Sequence, residues 1–498
     1  MIAAIMTRNP HCVRRAQKRL AYGALLALLL VAGISQPMAQ PYDLVIANGR
    51  VMDPETGLDA VRHIGIIDGT IRAVGEAPLE GHEIVDATGL VVAPGFIDTN
   101  IANPSREVNQ VRVFDGVTTA LWMESAPSDV SSWYVKQREA VINYGTAVGY
   151  WQARLAVMGD STLEGEAKWK KMEHGKATEA QLAAIIEVLD TGLAEGALGI
   201  GVALEYIPAA TQAEIVDVFR LAARYDAPVH IHMRGWGYDD ERVLSYGDLY
   251  EVFGGAIATD ADIHILHFNA SYTDWTPIGL DLIARAQARG LPVTADVYPY
   301  SFGGCAVGAA FFDDWESYPD DYFSTKLQLA ATGEWLTKEK FRALRASNEE
   351  VYVLCHESTE EVVRLALQSP SMTMIASDGG GSSHPRTAGT FSRVLGHYVR
   401  EEGVLTLMAA LGKMTIAPAR HLQKRVPGMS RKGRVQVGAD ADLVVFDPDT
   451  ITDRSTVLDP LMPSIGMHLV VVNGTPVVRD GILQEDVLPG RPIRALRR

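Results

Sequence analysis

Three segments of this 498-residue chain carry the side chains that hydrolytic chemistry needs. In Pro228-Val-His-Ile-His-Met-Arg234 the polar residues alternate with apolar ones, so period two puts His230 and His232 on one strand face, with His232 nearer the C-terminal end. In Ile263-His-Ile-Leu-His-Phe268, His267 has the parity opposite to His264 and closes the run. Met374-Ile-Ala-Ser-Asp378, followed by three glycines, sets an acid where the chain leaves an apolar strand. Each feature alone is ordinary, because a strand-end histidine is more often a hydrogen-bonded structural residue and Asp378 alone could cap a turn. Together, two imidazoles and a carboxylate converging from different strand ends suit zinc. Zinc would lower the pKa of a bound water to about 7 and polarise a carbonyl, and a nearby carboxylate would move the proton.

Such convergence requires a frame of parallel strands. Short apolar runs at 91–97, 118–123, 146–150, 197–202, 228–233, 262–266, 292–297, 351–355 and 374–377 alternate with segments whose spacing predicts helices over 179–194 and 212–225. Alternation on this scale predicts an α/β fold, a (β/α)8 TIM-like barrel over 93–429 with its active site at the C-terminal strand ends. Nine candidate strands are one too many. The stretch 298–350, rich in aromatics and acids, reads as an insertion that could also claim 351–355. A doubly wound open sheet is the competing frame, but the Gly-rich phosphate turn such folds often carry is not seen after the first strand. Alternating strands with Asn-Gly and Asp-Gly turns occur at 40–92 and again within 430–498, which predicts one small composite β-sandwich domain built from both ends.

The first 39 residues differ from the rest. Arg8, Arg14, Arg15, Lys18 and Arg19 precede a 14-residue uncharged stretch, Leu20–Gly33, and the small residues ending at Ala39. This is the pattern of a signal peptide over 1–39, and it implies a periplasmic or secreted enzyme. A membrane anchor needs about 20 apolar residues, more than this stretch supplies. The Arg14-Arg15 pair also allows a twin-arginine route. Met1–Ala39 holds five basic and no acidic residues, so its removal moves the formal charge from −16 to −21. That charge argues against nucleic acid as a partner, and no membrane partner is expected after cleavage. Cys12 would leave with the signal, and Cys305 and Cys355 allow one disulfide but no framework.

Asn48-Gly-Arg-Val-Met-Asp-Pro, Ala93-Pro-Gly-Phe-Ile-Asp98, the two histidine strands, Ser377-Asp378 and Gly438-Ala-Asp-Ala-Asp-Leu-Val-Val-Phe446 together resemble the amidohydrolase superfamily. His232-Met-Arg, Ala295-Asp-Val-Tyr-Pro-Tyr300 and the block from His384 to Gly396 are similar to its D-aminoacylase (N-acyl-D-amino-acid deacylase) branch. The resemblance implies zinc-dependent hydrolysis of a small linear amide. It makes His232 and His267 metal ligands, Asp378 the acid/base, Arg386 the clamp on the substrate carboxylate and Tyr298 a second contact to it. Without the resemblance, Arg386 could equally be a solvated loop cation. Two positions depart from the family pattern. Where the family has His-x-His, this chain reads Asn100-Ile-Ala102, so the resemblance implies one zinc rather than two. Where the branch has a Cys ligand, this chain reads Met123-Glu124-Ser125, and Glu124 either completes the two-histidine site or is a strand-end surface acid. Three functions follow: hydrolysis of an N-acyl-D-amino acid, binding of such a molecule without turnover, and hydrolysis of cyclic amides or lactones.

Overall fold

The computed structural model describes residues 41–160, 162, 166–235, 247–347, 349–381 and 383–497. The predicted signal peptide over 1–39 therefore lies outside the described residues. The described residues from Asp43 onward form one compact unit.

Eight parallel strands form the barrel. In chain order they are Phe96–Asp98, Val117–Trp122, Asn143–Thr146 continued by Val148–Gly149, Ile200–Ala203, Val229–His232, Ile263–Ile265, Val293–Val297 and Met374–Ile375. Strands one and eight meet through their extensions, where Gly379 pairs with Ile101 and Gly380 with Ala102 in parallel register. The strands are short and mostly buried on both faces, as a parallel sheet wrapped in helices requires. Helices Glu179–Ala194 and Gln212–Arg224 lie where the periodicity put them. The first is fixed by a capping box in which Thr178 and Gln181 satisfy each other's backbone N–H groups.

Two candidate strands resolve differently from the sequence pattern. The 91–97 run splits into Val91–Pro94, which belongs to the composite domain, and Phe96–Asp98, which opens the barrel. Gly95 marks the break, because a Cβ there would lie 2.2 Å from Thr118 Oγ1. Tyr352–Cys355 is not a barrel strand: it pairs antiparallel with Gly303–Ala306 and Leu327–Leu329 in a separate three-stranded sheet of the insertion, over its own core of Phe312, Phe323 and Phe341.

The composite domain is one hydrogen-bonded sheet of nine strands. Val91–Pro94 runs beside Tyr42–Asp53 from the N-terminal half and Leu443–Phe446 from the C-terminal half, joining the two. Asp68-Gly69, Asn473-Gly474 and Asp480-Gly481 turn its hairpins with positive φ at both residues, the conformation these dipeptides favour. Asp442 links this sheet to the barrel: its carboxylate accepts from Asn143 on strand three at 3.0 Å, from Lys432 at 2.5 Å and from the Asn473 backbone at 2.6 Å. Gly490, Ile493 and Ala495 then return along the barrel through backbone hydrogen bonds. No helix among the described residues is long and apolar enough to cross a membrane.

Candidate metal centre

His230 and His232 share a face of barrel strand five but serve different layers. His230 is buried below the mouth, its Nε2 3.0 Å from His421 Nε2 and its ring 4.7 Å from that of His264. His232 ends the strand, with Nδ1 3.0 Å from Glu124 Oε1 and Nε2 2.5 Å from Glu205 Oε2. His267 stands two residues beyond strand six with φ +33°, a conformation rare outside glycine. Asp296 of strand seven holds it there, accepting the His267 backbone N–H at 2.5 Å while its other oxygen lies 2.9 Å from His264 Nε2. Glu124 follows strand two, and its Oε2 is 3.7 Å from His267 Nε2. One potential ligand atom from each of Glu124, His232 and His267 lies within 4.8 Å of the other two.

The electrostatics of this triad favour a cation. Burial alone would raise the Glu124 carboxyl, but His232 and His267 outweigh it and hold the group well below the usual carboxylate range. Burial alone would lower His232, yet Glu124 and Glu205 push it up to about 10. Both shifts keep carboxylate charge against the imidazoles, and Glu205 Oε1 beside them is buried with no hydrogen-bond partner. Two imidazoles and a carboxylate are a donor set that zinc accepts, so the residues fit the ion.

Asp378 follows strand eight with φ +49°. Burial pushes its carboxyl up to about 6, although Arg386 and His267 oppose the shift. Arg386 is not a solvated loop cation: it is 5% exposed at the start of helix Arg386–Arg393, and its Nη1 donates to Asp378 Oδ2 at 2.7 Å. Its guanidinium carbon lies 5.0 Å from the centroid of the Tyr298 ring. His384 orients this segment, because Nδ1 accepts the Arg386 backbone N–H at 3.0 Å and Nε2 lies 3.0 Å from the Phe302 carbonyl oxygen. Asn100, at the first position of the altered His-x-His pair, joins the two acids: its Nδ2 donates to Glu124 Oε2 at 3.2 Å and to Asp378 Oδ1 at 3.4 Å. Asp98 secures the seam beneath by accepting the Ser377 hydroxyl at 2.5 Å and the Ser377 backbone N–H at 3.0 Å.

Glu124, Glu205, His232, His267, Tyr298, Asp378 and Arg386 line one cavity of about 690 Å³, walled further by Trp122, Trp151, Trp169, Tyr206, Phe311 and Tyr352. A profile of the amidohydrolase family matches residues 145–478. The chain is 31% identical to N-acyl-D-glutamate deacylase from Alcaligenes xylosoxydans xylosoxydans, over 93% of this chain and 98% of that one. It is 30% identical to the D-aminoacylase of the same organism, over 89% and 96%. The chain belongs to the amidohydrolase family. The crystal structure of N-acyl-D-glutamate deacylase from Bordetella bronchiseptica, complexed with zinc and a phosphonate inhibitor that mimics the tetrahedral intermediate, superposes with a TM-score of 0.77. That match has 26% identity and covers 92% of this chain and all of the other. The protein is thus a D-aminoacylase-like, metal-dependent hydrolase of carbon–nitrogen bonds other than peptide bonds.

In this amidohydrolase Glu205 and Asp296 hold site positions that residue type alone did not announce. Glu205 stands two residues beyond strand four, the same strand-end placement that marked Asp378. Asp296 lies inside strand seven, and only its contacts to the His264–His267 segment give it a role. Cys305 and Cys355 are free buried thiols, Sγ to Sγ 3.8 Å, rather than a disulfide.

Proposed function

We propose that this amidohydrolase is an exported enzyme that cleaves the linear amide of an N-acyl-D-amino acid, using one zinc ion held by Glu124, His232 and His267. The observation that carries the reading is the placement of the Asp378–Arg386 pair, 2.7 Å apart, in the same cavity as that triad. A bound zinc supplies a Lewis acid beside the scissile carbonyl and acidifies water to a pKa of about 7. Asp378 takes a proton from the attacking water and returns it to the leaving amine nitrogen. Arg386 exchanges its contact with Asp378 for the substrate carboxylate, a planar partner that a guanidinium grips with two N–H groups. Tyr298 supports that guanidinium from beneath. Asn100 keeps Glu124 and Asp378 hydrogen-bonded to one neutral amide where the family pattern has a histidine. Export rests on the basic and Leu/Ala-rich pattern of residues 1–39.

The test is a panel of N-acyl-D- and N-acyl-L-amino acids assayed with the purified protein. Hydrolysis of D members, with kcat reduced about 10²- to 10⁴-fold in Asp378→Asn and KM changed little, supports the reading. Absence of cleavage, together with ligand affinity unaltered in Asp378→Asn, assigns the cavity to binding instead.

A further inference from the structure

The cavity has a second arm that the catalytic groups do not use. In the ring of eight strands, Tyr298 and Asp378 close strands seven and eight, and Arg386 follows them. Trp151 lies on helix Tyr150–Met158, immediately after strand three, and Trp169 on helix Glu166–His174, before strand four. Strands three and four stand opposite seven and eight in such a ring. Glu124, His232 and His267, from strands two, five and six, lie between these arms. An amide whose α-carboxylate is on Arg386 and whose scissile carbonyl is at the triad extends its acyl substituent away from the clamp.

The walls of that arm are aromatic. Trp151 and Trp169 meet edge to face, ring centroids 5.6 Å apart, and both line the cavity with Trp122. The Trp122 indole N–H is already committed to Ser125 Oγ at 3.1 Å, which leaves its apolar face as the surface offered. Charge disfavours an anionic occupant: apart from the two histidines, the described lining residues include Glu124, Glu173, Glu205, Glu350 and Asp378 against Lys170 and Arg386. Arg386 is taken by the substrate carboxylate. A neutral aromatic group stacks against indoles at no such electrostatic cost.

We infer that Trp122, Trp151 and Trp169 form an acyl-group subsite and that the preferred substrates carry an aryl-acyl group of the phenylacetyl kind. This rests on the amide-hydrolase reading above. The experiment compares kcat/KM for N-phenylacetyl- and N-acetyl-D-amino acids of the same side chain, in the parent enzyme and in Trp151→Leu and Trp169→Leu. The parent should favour the phenylacetyl form at least tenfold, and either substitution should cut that ratio about tenfold. Equal turnover of the two forms, or a ratio untouched in both variants, overturns the inference. If no amide is cleaved, the catalytic reading fails separately, and the subsite is then decided by tryptophan fluorescence of the full chain titrated with phenylacetamide. Saturable quenching that acetamide does not produce and that weakens in Trp151→Leu supports the subsite; no saturable change overturns it.

Discussion

Glu205 meets the Nε2 side of His232 while Glu124 meets Nδ1, so a single imidazole is gripped by two carboxylates from strands four and two. A ligating histidine whose second nitrogen donates to a carboxylate is fixed in tautomer and ring plane, and loss of that carboxylate costs about 10- to 100-fold in metal affinity or activity. Glu205→Gln should therefore lower zinc affinity by that amount, read by competition with a chromophoric chelator, while the fold persists by circular dichroism. An unchanged affinity would mean that Glu205 does not orient His232. The histidines and Asp378 were legible because each ends an apolar run, where a titratable side chain stands out. Asp296 lies within the Ala295–Tyr300 motif, but the role of an acid inside a buried strand is not legible until the His267 backbone N–H at φ +33° is seen to need its oxygen.

The Trp151–Trp169 arm depends on how its two helices are pinned. Arg154, buried on helix Tyr150–Met158, pairs with Glu214 of helix Gln212–Arg224 and donates to the carbonyl oxygens of Met172 at 2.8 Å and Gly175 at 2.6 Å. Tyr150 donates to the same Glu214 carboxylate at 2.5 Å. Breaking a buried ion pair by removing one partner strands the remaining charge and costs about 3–5 kcal/mol. Arg154→Ala should destabilise the protein by that order in denaturant titration, and a change below about 1 kcal/mol would show that the pair does not anchor the arm. Among the elements, the barrel was legible from alternating strands and helices, as was the excess of one candidate strand. Its seam was not, because the closing partners, Ile101–Ala102 and Gly379–Gly380, are two residues each and have no periodicity to read. The 91–97 run misled for a related reason: hydrophobicity continues through Pro94-Gly95 while the chain passes from one sheet to another.

At the scale of the molecule, both chain ends must meet to complete the β domain, and ion pairs between them reinforce the sheet. Glu55 accepts from Arg434 at 2.9 Å, Gln436 at 2.9 Å and Arg420 at 3.1 Å. Arg434, with the other two assisting, holds its carboxyl down at about 2 from an ordinary 4.5. A carboxyl depressed in the fold stabilises above its unfolded pKa, and that contribution is lost as pH falls through 4.5 toward 2. Glu55→Gln should lower stability by about 1 kcal/mol at pH 7, once solvent screening of a partly exposed pair is allowed for. In paired calorimetric scans the gap to the parent should narrow below pH 4.5 and close near pH 2; a gap independent of pH would contradict the assignment. Zinc stoichiometry decides whether the cavity that this frame supports is a one-metal site built on Glu124. Elemental analysis of the purified parent and of Glu124→Ala should give about one zinc per chain for the parent and far less for the variant. Two ions per chain, one ion indifferent to Glu124, or full amide hydrolysis with no metal would rule out a single zinc held by Glu124, His232 and His267.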